Sequence, residues 1–116
     1  MSQKTTKKQI ETNSCLLNKL LNNLNDQALQ PCYDMLNSEN VQKFLADSEL
    51  VSTVEVFLDN NLNISKTSKQ AFMHRNTLLY RIEKINKMLG LDIRKLEDAI
   101  TLKIVLILGT KQKKQS

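Results

Sequence analysis

Chain breakers and special chemistry are scarce in these 116 residues: two Gly, one Pro, one His, two Cys and no Trp. An all-β chain needs a turn signal about every eight to twelve residues, and so few Gly and Pro cannot supply them. A glycine-rich phosphate loop is excluded, because the only glycines are Gly90 and Gly109. One histidine and two distant cysteines are too few for a structural zinc site, so neither metal nor cofactor is expected. Cys15 and Cys32 match no redox spacing and read as small reduced hydrophobes. The opening stretch, MSQKTTKKQIETNS, lacks the apolar core of a secretory signal. The longest apolar run, Ile104 to Leu108, falls far short of the roughly 20 residues that span a bilayer. These absences lead to the expectation of a cytoplasmic chain with no membrane role.

What is present is ordinary for a globular protein: 41% hydrophobic and 25% charged residues. With Leu, Lys, Asn and Gln abundant, the expected fold class is all-α. The length allows one domain, or a small domain with an arm. Charge is distributed unevenly. Residues 1–62 carry five cations and eight anions, whereas residues 63–95 carry eight cations and two anions. All three arginines (Arg75, Arg81, Arg94) lie in that middle block. A surplus of six positive charges over 33 residues is an electrostatic footprint for a polyanion such as a phosphate backbone. A lysine-rich, solvated helix face is the competing explanation. Lys111, Lys113 and Lys114 read as a solubilising tail.

Apolar spacing divides the chain into helices. Residues 1–9 are expected to be disordered. Leu17, Leu20, Leu21, Leu24 and Ala28 form one face of a helix over Ile10 to Gln30, capped by Asn13 or Thr12 and ended by Pro31. A short helix over Asn40 to Asp47 carries Val41, Phe44 and Leu45. Leu50, Val51, Val54, Phe57 and Leu58 mark the next, closed by Asn60-Asn61. Ser65 is a candidate N-cap for a helix of about two turns, Lys66 to Phe72. A tight turn at Met73-His74 leads to the clearest helix, Arg75 to Leu89, with Leu78, Ile82, Ile85 and Leu89 on one side and Gly90 as its C-terminal cap. The last helix is expected over Lys95 to Leu108, ahead of Gly109, with Ile100, Ile104 and Ile107 as its stripe and Ala99 and Leu108 beside them. A buried strand over the IVLIL run is the alternative. A helix apolar nearly all round must be covered, and a second subunit is a natural cover.

On a helical wheel the side of the Arg75 helix opposite Ile82 carries Asn76, Thr77, Tyr80, Lys84 and Lys87, with Arg81 and Glu83 flanking. Arg forks onto guanine edges or phosphate, and Asn pairs with adenine through two hydrogen bonds. Thr, Tyr and Lys reach phosphate oxygens. Arg75 sits at the helix start, where the dipole favours an anion. With the short helix and turn before it, the layout is that of a helix-turn-helix. A helical hairpin with a wet face also fits, with Tyr80 shielding a core edge and His74 a turn residue.

The stretch HRNTLLYRIEKINKMLGLD (His74 to Asp92) closely resembles the C-terminal helix-turn-helix of PucR/CdaR-type bacterial transcriptional regulators. The resemblance extends upstream through TVEVFLDNNLNISKTSKQAFM and downstream through LDIRKLEDAITLKIVLIL, so it covers Leu50 to Leu108. The arrangement is also similar to the dimeric DNA-binding tail of Fis-type proteins. Three positions depart from the family pattern. Ser68 stands where Ala is usual and Ala71 where Leu is usual, with Phe72 and Met73 expected to restore the packing. Leu79 occupies a position that is often basic.

The residues and the resemblance together imply a sequence-specific DNA-binding regulator, not an enzyme, with double-stranded DNA as its partner. Arg75, Asn76 and Thr77 are expected at base edges, and Tyr80, Arg81 and Lys84 on the backbone. Lys66 and Lys69 are expected to add phosphate contacts. A homodimer through the C-terminal helix and the N-terminal arm is expected. The expected organisation is an N-terminal helical arm over residues 1–49, the helix-turn-helix domain over 50–110 and a disordered basic tail over 111–116. The alternative function is a helical protein–protein interaction module using Ile104 to Leu108 and the Leu17 to Leu29 face. No effector ligand is readable.

Overall fold

The computed structural model describes residues 16–115, with side chains described over residues 16–110. The expected N-terminal disorder, the cap at Asn13 or Thr12 and Cys15 lie outside these residues. Among the described residues there are seven helical segments and no strand, so the all-α expectation holds. They are α1 (residues 16–23), α2 (Asp26–Leu36), α3 (Glu39–Ala46), α4 (Ser48–Asp59), α5 (Ile64–Gln70), α6 (Arg75–Leu89) and α7 (Leu96–Gln115).

Helix starts follow from side chains that accept the free N–H groups of a first turn. Ser38 Oγ accepts from the Val41 N–H at 3.2 Å, opening α3. Asp47 does the same for Glu49 and Leu50 at 3.1 and 3.2 Å, opening α4. Asn63 Oδ1 accepts from Lys66 at 2.8 Å, so α5 begins at Ile64, two residues before the start expected from Ser65. This choice buries Ile64. Asn25 Oδ1 accepts from Ala28 at 2.7 Å and opens α2. The single helix expected up to Gln30 is therefore broken at residues 24–25, and Pro31 lies inside α2 rather than ending it. Proline removes one N–H donor from α2, at a cost of about 3 kcal/mol that the rest of the fold must offset.

Helix ends follow a common device, a left-handed residue whose own N–H and that of the next residue return to the last turn. Asn61 (φ 57°) donates to Leu58 O and Leu62 to Phe57 O, closing α4. Phe72 (φ 53°) donates to Lys69 O and Met73 to Ser68 O, closing α5. Gly90 (φ 69°) closes α6, with Gly90 and Leu91 both donating to Asn86 O, as expected of that glycine.

The chain divides into two compact units, Met1–Pro31 and Cys32–Ser116. In the first, Leu21 and Leu29 are buried whereas Leu16, Leu20 and Leu24 are exposed. The second is built around α6, which packs on α3, α4 and α5. Leu78, Ile82, Ile85 and Leu89, the expected stripe, are all buried. Each such aliphatic side chain contributes about 1.5–3 kcal/mol on burial. Around them lie Val41 and Phe44 of α3, Leu50, Val54 and Phe57 of α4, and Ile64 and Thr67 of α5. α3 packs on α4 and α6 and belongs to the second unit.

Three further expectations fail. The buried side of α7 is Ala99, Leu102, Val105 and Leu108, while Ile100 is half exposed and Ile104 and Ile107 are only partly covered. A segment apolar all round carries no phase of its own, so its neighbours choose the side. The helix also runs past Gly109 to Gln115, through the stretch expected as a tail. Gly109 faces Leu36 and Leu45 with room for a methyl group: a Cβ there would lie 3.4 Å from Leu36 Cδ1 and 3.6 Å from Leu45 Cδ1, ordinary contact distances. Phe72, expected to pack, is 97% exposed. In this type of helix end the apolar contact belongs to the following residue, here the half-buried Met73.

Candidate nucleic-acid interface

The approach to α6 is built by His74. Its backbone is extended (φ −64°, ψ 144°), and its Nδ1 accepts from the Asn76 N–H at 3.0 Å. The imidazole is thus a helix cap, the role a lone His beside Arg takes most readily. With the cap in place, Arg75, Asn76 and Thr77 are all exposed in the first turn. Tyr80 is 69% exposed one turn later, and Lys84 and Lys87 continue the same side. The face opposite the core stripe is therefore open along the whole helix.

The neighbouring helix adds charge. Lys66 and Lys69 of α5 are exposed. Arg75 Nη1 donates to Ser65 Oγ at 3.5 Å, a long bond that ties the first turns of α5 and α6 together. Lys66, Lys69, Arg75, Lys84 and Lys87 take part in no ion pair among the described residues, where the pairs are Lys43–Glu39 and Arg81–Glu49. Unpaired, exposed cations on two adjacent helices sum to a positive field that an anionic strand can neutralise.

Arg81 is in a different setting from its expected neighbours. Its side chain is 27% exposed and turns toward α4. Its Nη1 donates to Thr53 Oγ1 at 3.3 Å, and its Nη2 lies 3.9 Å from Glu49 Oε1. Thr53 is itself buried and donates to Glu49 O at 2.8 Å. The Glu49 carboxylate is 78% exposed, so the ion pair is weak and the Thr53 bond fixes the direction of Arg81. This tie joins residues 28 apart, and no local spacing in the sequence announces it.

At the other end of α6 the turn is locked by side chains. Asn86 Oδ1 accepts from the Ile93 N–H at 2.9 Å, and Asp98 Oδ2 accepts from the Asp92 N–H at 2.8 Å. Ile93 is fully buried, which pins α6 to the start of α7. Among the described residues no group of three or more metal-ligating side chains comes together. No helix among them is long and apolar enough to cross a membrane.

The short α5, the turn at Phe72-Met73-His74 and the exposed start of α6 form a helix-turn-helix whose second helix presents polar and cationic groups. Residues 50–108 match the PucR C-terminal helix-turn-helix domain. The purine catabolism regulatory protein of Bacillus subtilis is 32% identical over 88 residues, covering 76% of this chain and 17% of that protein. The proline-responsive transcriptional activator PutR of B. subtilis is 34% identical over 67 residues, 58% of this chain and 16% of that one. The carbohydrate diacid regulator of Escherichia coli is 38% identical over 54 residues, 47% and 14% respectively. The chain spans less than a fifth of the length of these three relatives. No solved structure matches the chain significantly. The match and the fold agree over the same residues: the chain belongs to the PucR C-terminal helix-turn-helix family, a DNA-binding module of bacterial transcription regulators.

Proposed function

We propose that this chain is the sequence-specific DNA-binding part of a bacterial transcription regulator and that α6 enters the major groove of its operator. The carrying observation is the outer side of α6, where Arg75, Asn76, Thr77, Tyr80 and Lys84 are exposed while the opposite side is fully buried. Arg75, Asn76 and Thr77 approach base edges from the first turn. Tyr80 and Lys84 hold the phosphate backbone, and Lys66 and Lys69 add contacts from α5, the helix that crosses the backbone in such motifs. Arg81 reaches the same strand only from its bonded position beside Thr53, so its main part is to set the angle of α6 on α4. Residues 50–110 form the DNA-binding domain, with α3 as a supporting element and the first unit as an arm. The chain acts in the bacterial cytoplasm, where such operators are found.

Binding to a duplex selected from a random library tests this reading. Arg75→Ala should lose roughly 1–3 kcal/mol and relax preference at one position. Lys84→Ala should weaken all sequences alike and reduce the salt slope by about one unit. Wild-type affinity in the Arg75 variant refutes the assignment. The reading as a protein-interaction module makes the opposite forecast: low-salt elution from heparin, unaffected by Arg75→Ala.

The homodimer is part of the proposal. Leu96 is 68% and Ile100 50% exposed on α7, beside a groove of about 290 Å³ that Leu58 and Leu62 also line. Exposed apolar surface on a helix that already buries its other side supports a second copy as its cover. In the first unit, Leu16, Leu20 and Leu24 are exposed, so the N-terminal arm carries an apolar surface of its own.

A further inference from the structure

We propose that Phe72 is a base-reading residue whose ring packs against the C5-methyl group of a thymine beside the bases approached by Arg75, Asn76 and Thr77. The inference rests on the groove-binding reading of α6 and adds a contact class, apolar readout, that its polar residues do not supply. Phe44 and Phe57, the other phenylalanines, are fully buried, whereas Phe72 is 97% exposed. Nothing in the fold holds its ring. Its backbone is left-handed (φ 53°), a conformation that disfavours any side chain with a Cβ and that glycine would adopt freely. A strained position carrying an uncovered ring gains nothing from the folded chain, which points outward for its use.

The surroundings select the occupant. Phe72 is three residues ahead of Arg75, so their backbones are at most about 11 Å apart. Exposed Lys69 and Arg75 flank it in sequence, and the apolar neighbours Ala71 and Met73 are half-buried. A lone ring between cations is too small an apolar area for a protein partner, which typically needs about 800 Å² on each side. The cations draw in an anionic duplex instead. In the major groove of that duplex the one apolar group on a base edge is the thymine methyl, a known partner for Phe.

The test uses a duplex that the wild-type chain selects from a random library, with each thymine replaced singly by deoxyuridine to delete one methyl group. Wild type should lose about three- to fivefold at one of these positions. Phe72→Ala should bind the unmodified duplex roughly 5- to 20-fold more weakly and be indifferent to that deoxyuridine. Phe72→Gly should melt higher than wild type, because the strain is gone, and still show the same loss of binding. Unchanged affinity in both variants overturns the inference, as does a loss that leaves the deoxyuridine response intact. Arg75→Ala separates the two readings: if it weakens binding and Phe72→Ala does not, only the Phe72 contact falls. If neither matters, the groove assignment of α6 falls with it.

Discussion

His74 does local work that no other residue type in its neighbourhood duplicates. Its Nδ1 holds the Asn76 N–H, so the first turn of α6 and the exposed Arg75-Asn76-Thr77 run share one anchor. His74→Ala should cost about 1 kcal/mol of stability, and His74→Asn should retain most of it, since Asn caps as well as any residue. Urea unfolding of the two variants checks this, and equal losses would remove the capping role. Thr67 presents the reverse case. It is fully buried between α5 and its neighbours, and its hydroxyl has no hydrogen-bond partner among the described residues. Thr67→Val keeps the shape and removes the stranded polar group, so the unfolding free energy should rise by about 1 kcal/mol. DNA affinity should not change. A destabilised variant would mean that the hydroxyl is in use.

At the scale of elements, caps and left-handed ends decide where each helix begins and stops, and packing decides which side faces in. The stripe Leu78, Ile82, Ile85, Leu89 is readable because α6 alternates apolar and polar residues with the helical period. α7 is not readable in the same way. Residues 104–108 are apolar without interruption, so Ile100, Ile104 and Ile107 look as suitable for the core as Leu102 and Val105. Asn63 and Ser65 are both plausible caps for α5, and only the burial of Ile64 separates them. Gly109 looks like a stop signal but lies within α7 against Leu36 and Leu45. A methyl group at that position would meet only the flexible ends of those leucines. Gly109→Ala should therefore stabilise the protein by roughly 0.5–1 kcal/mol through helix propensity, seen as a melting temperature a few degrees higher. A lower melting temperature would show that the α7 contact with Leu36 cannot relax.

For the whole molecule the deciding property is assembly. If α7 dimerises through Leu96 and Ile100, sedimentation at micromolar concentration should give twice the chain mass. Replacing both residues by Asp should return the monomer and weaken binding to a two-fold symmetric operator far more than to a single half-site, because linked half-sites bind with a raised effective concentration. A clean monomer for the wild-type chain at that concentration ends the dimer proposal. The positive middle of the sequence and the negative first half give the second unit its polarity, with the exposed cations of α5 and α6 on the proposed DNA side.

Local information settled much of this protein in advance. The scarcity of Gly and Pro argued against an all-β chain, the period of α6 chose its inner side, and the His-Arg-Asn-Thr and Tyr-Arg residues carried the family. What required the folded chain was everything that depends on contacts between distant positions: the face that α7 buries, the tie from Arg81 to Thr53, the inclusion of α3 in the second unit and the outward ring of Phe72. The physical reason is the range of the forces involved. Propensity, capping and amphipathic period act within a few residues and are written in order along the chain. Burial is decided by whichever neighbours the third dimension supplies.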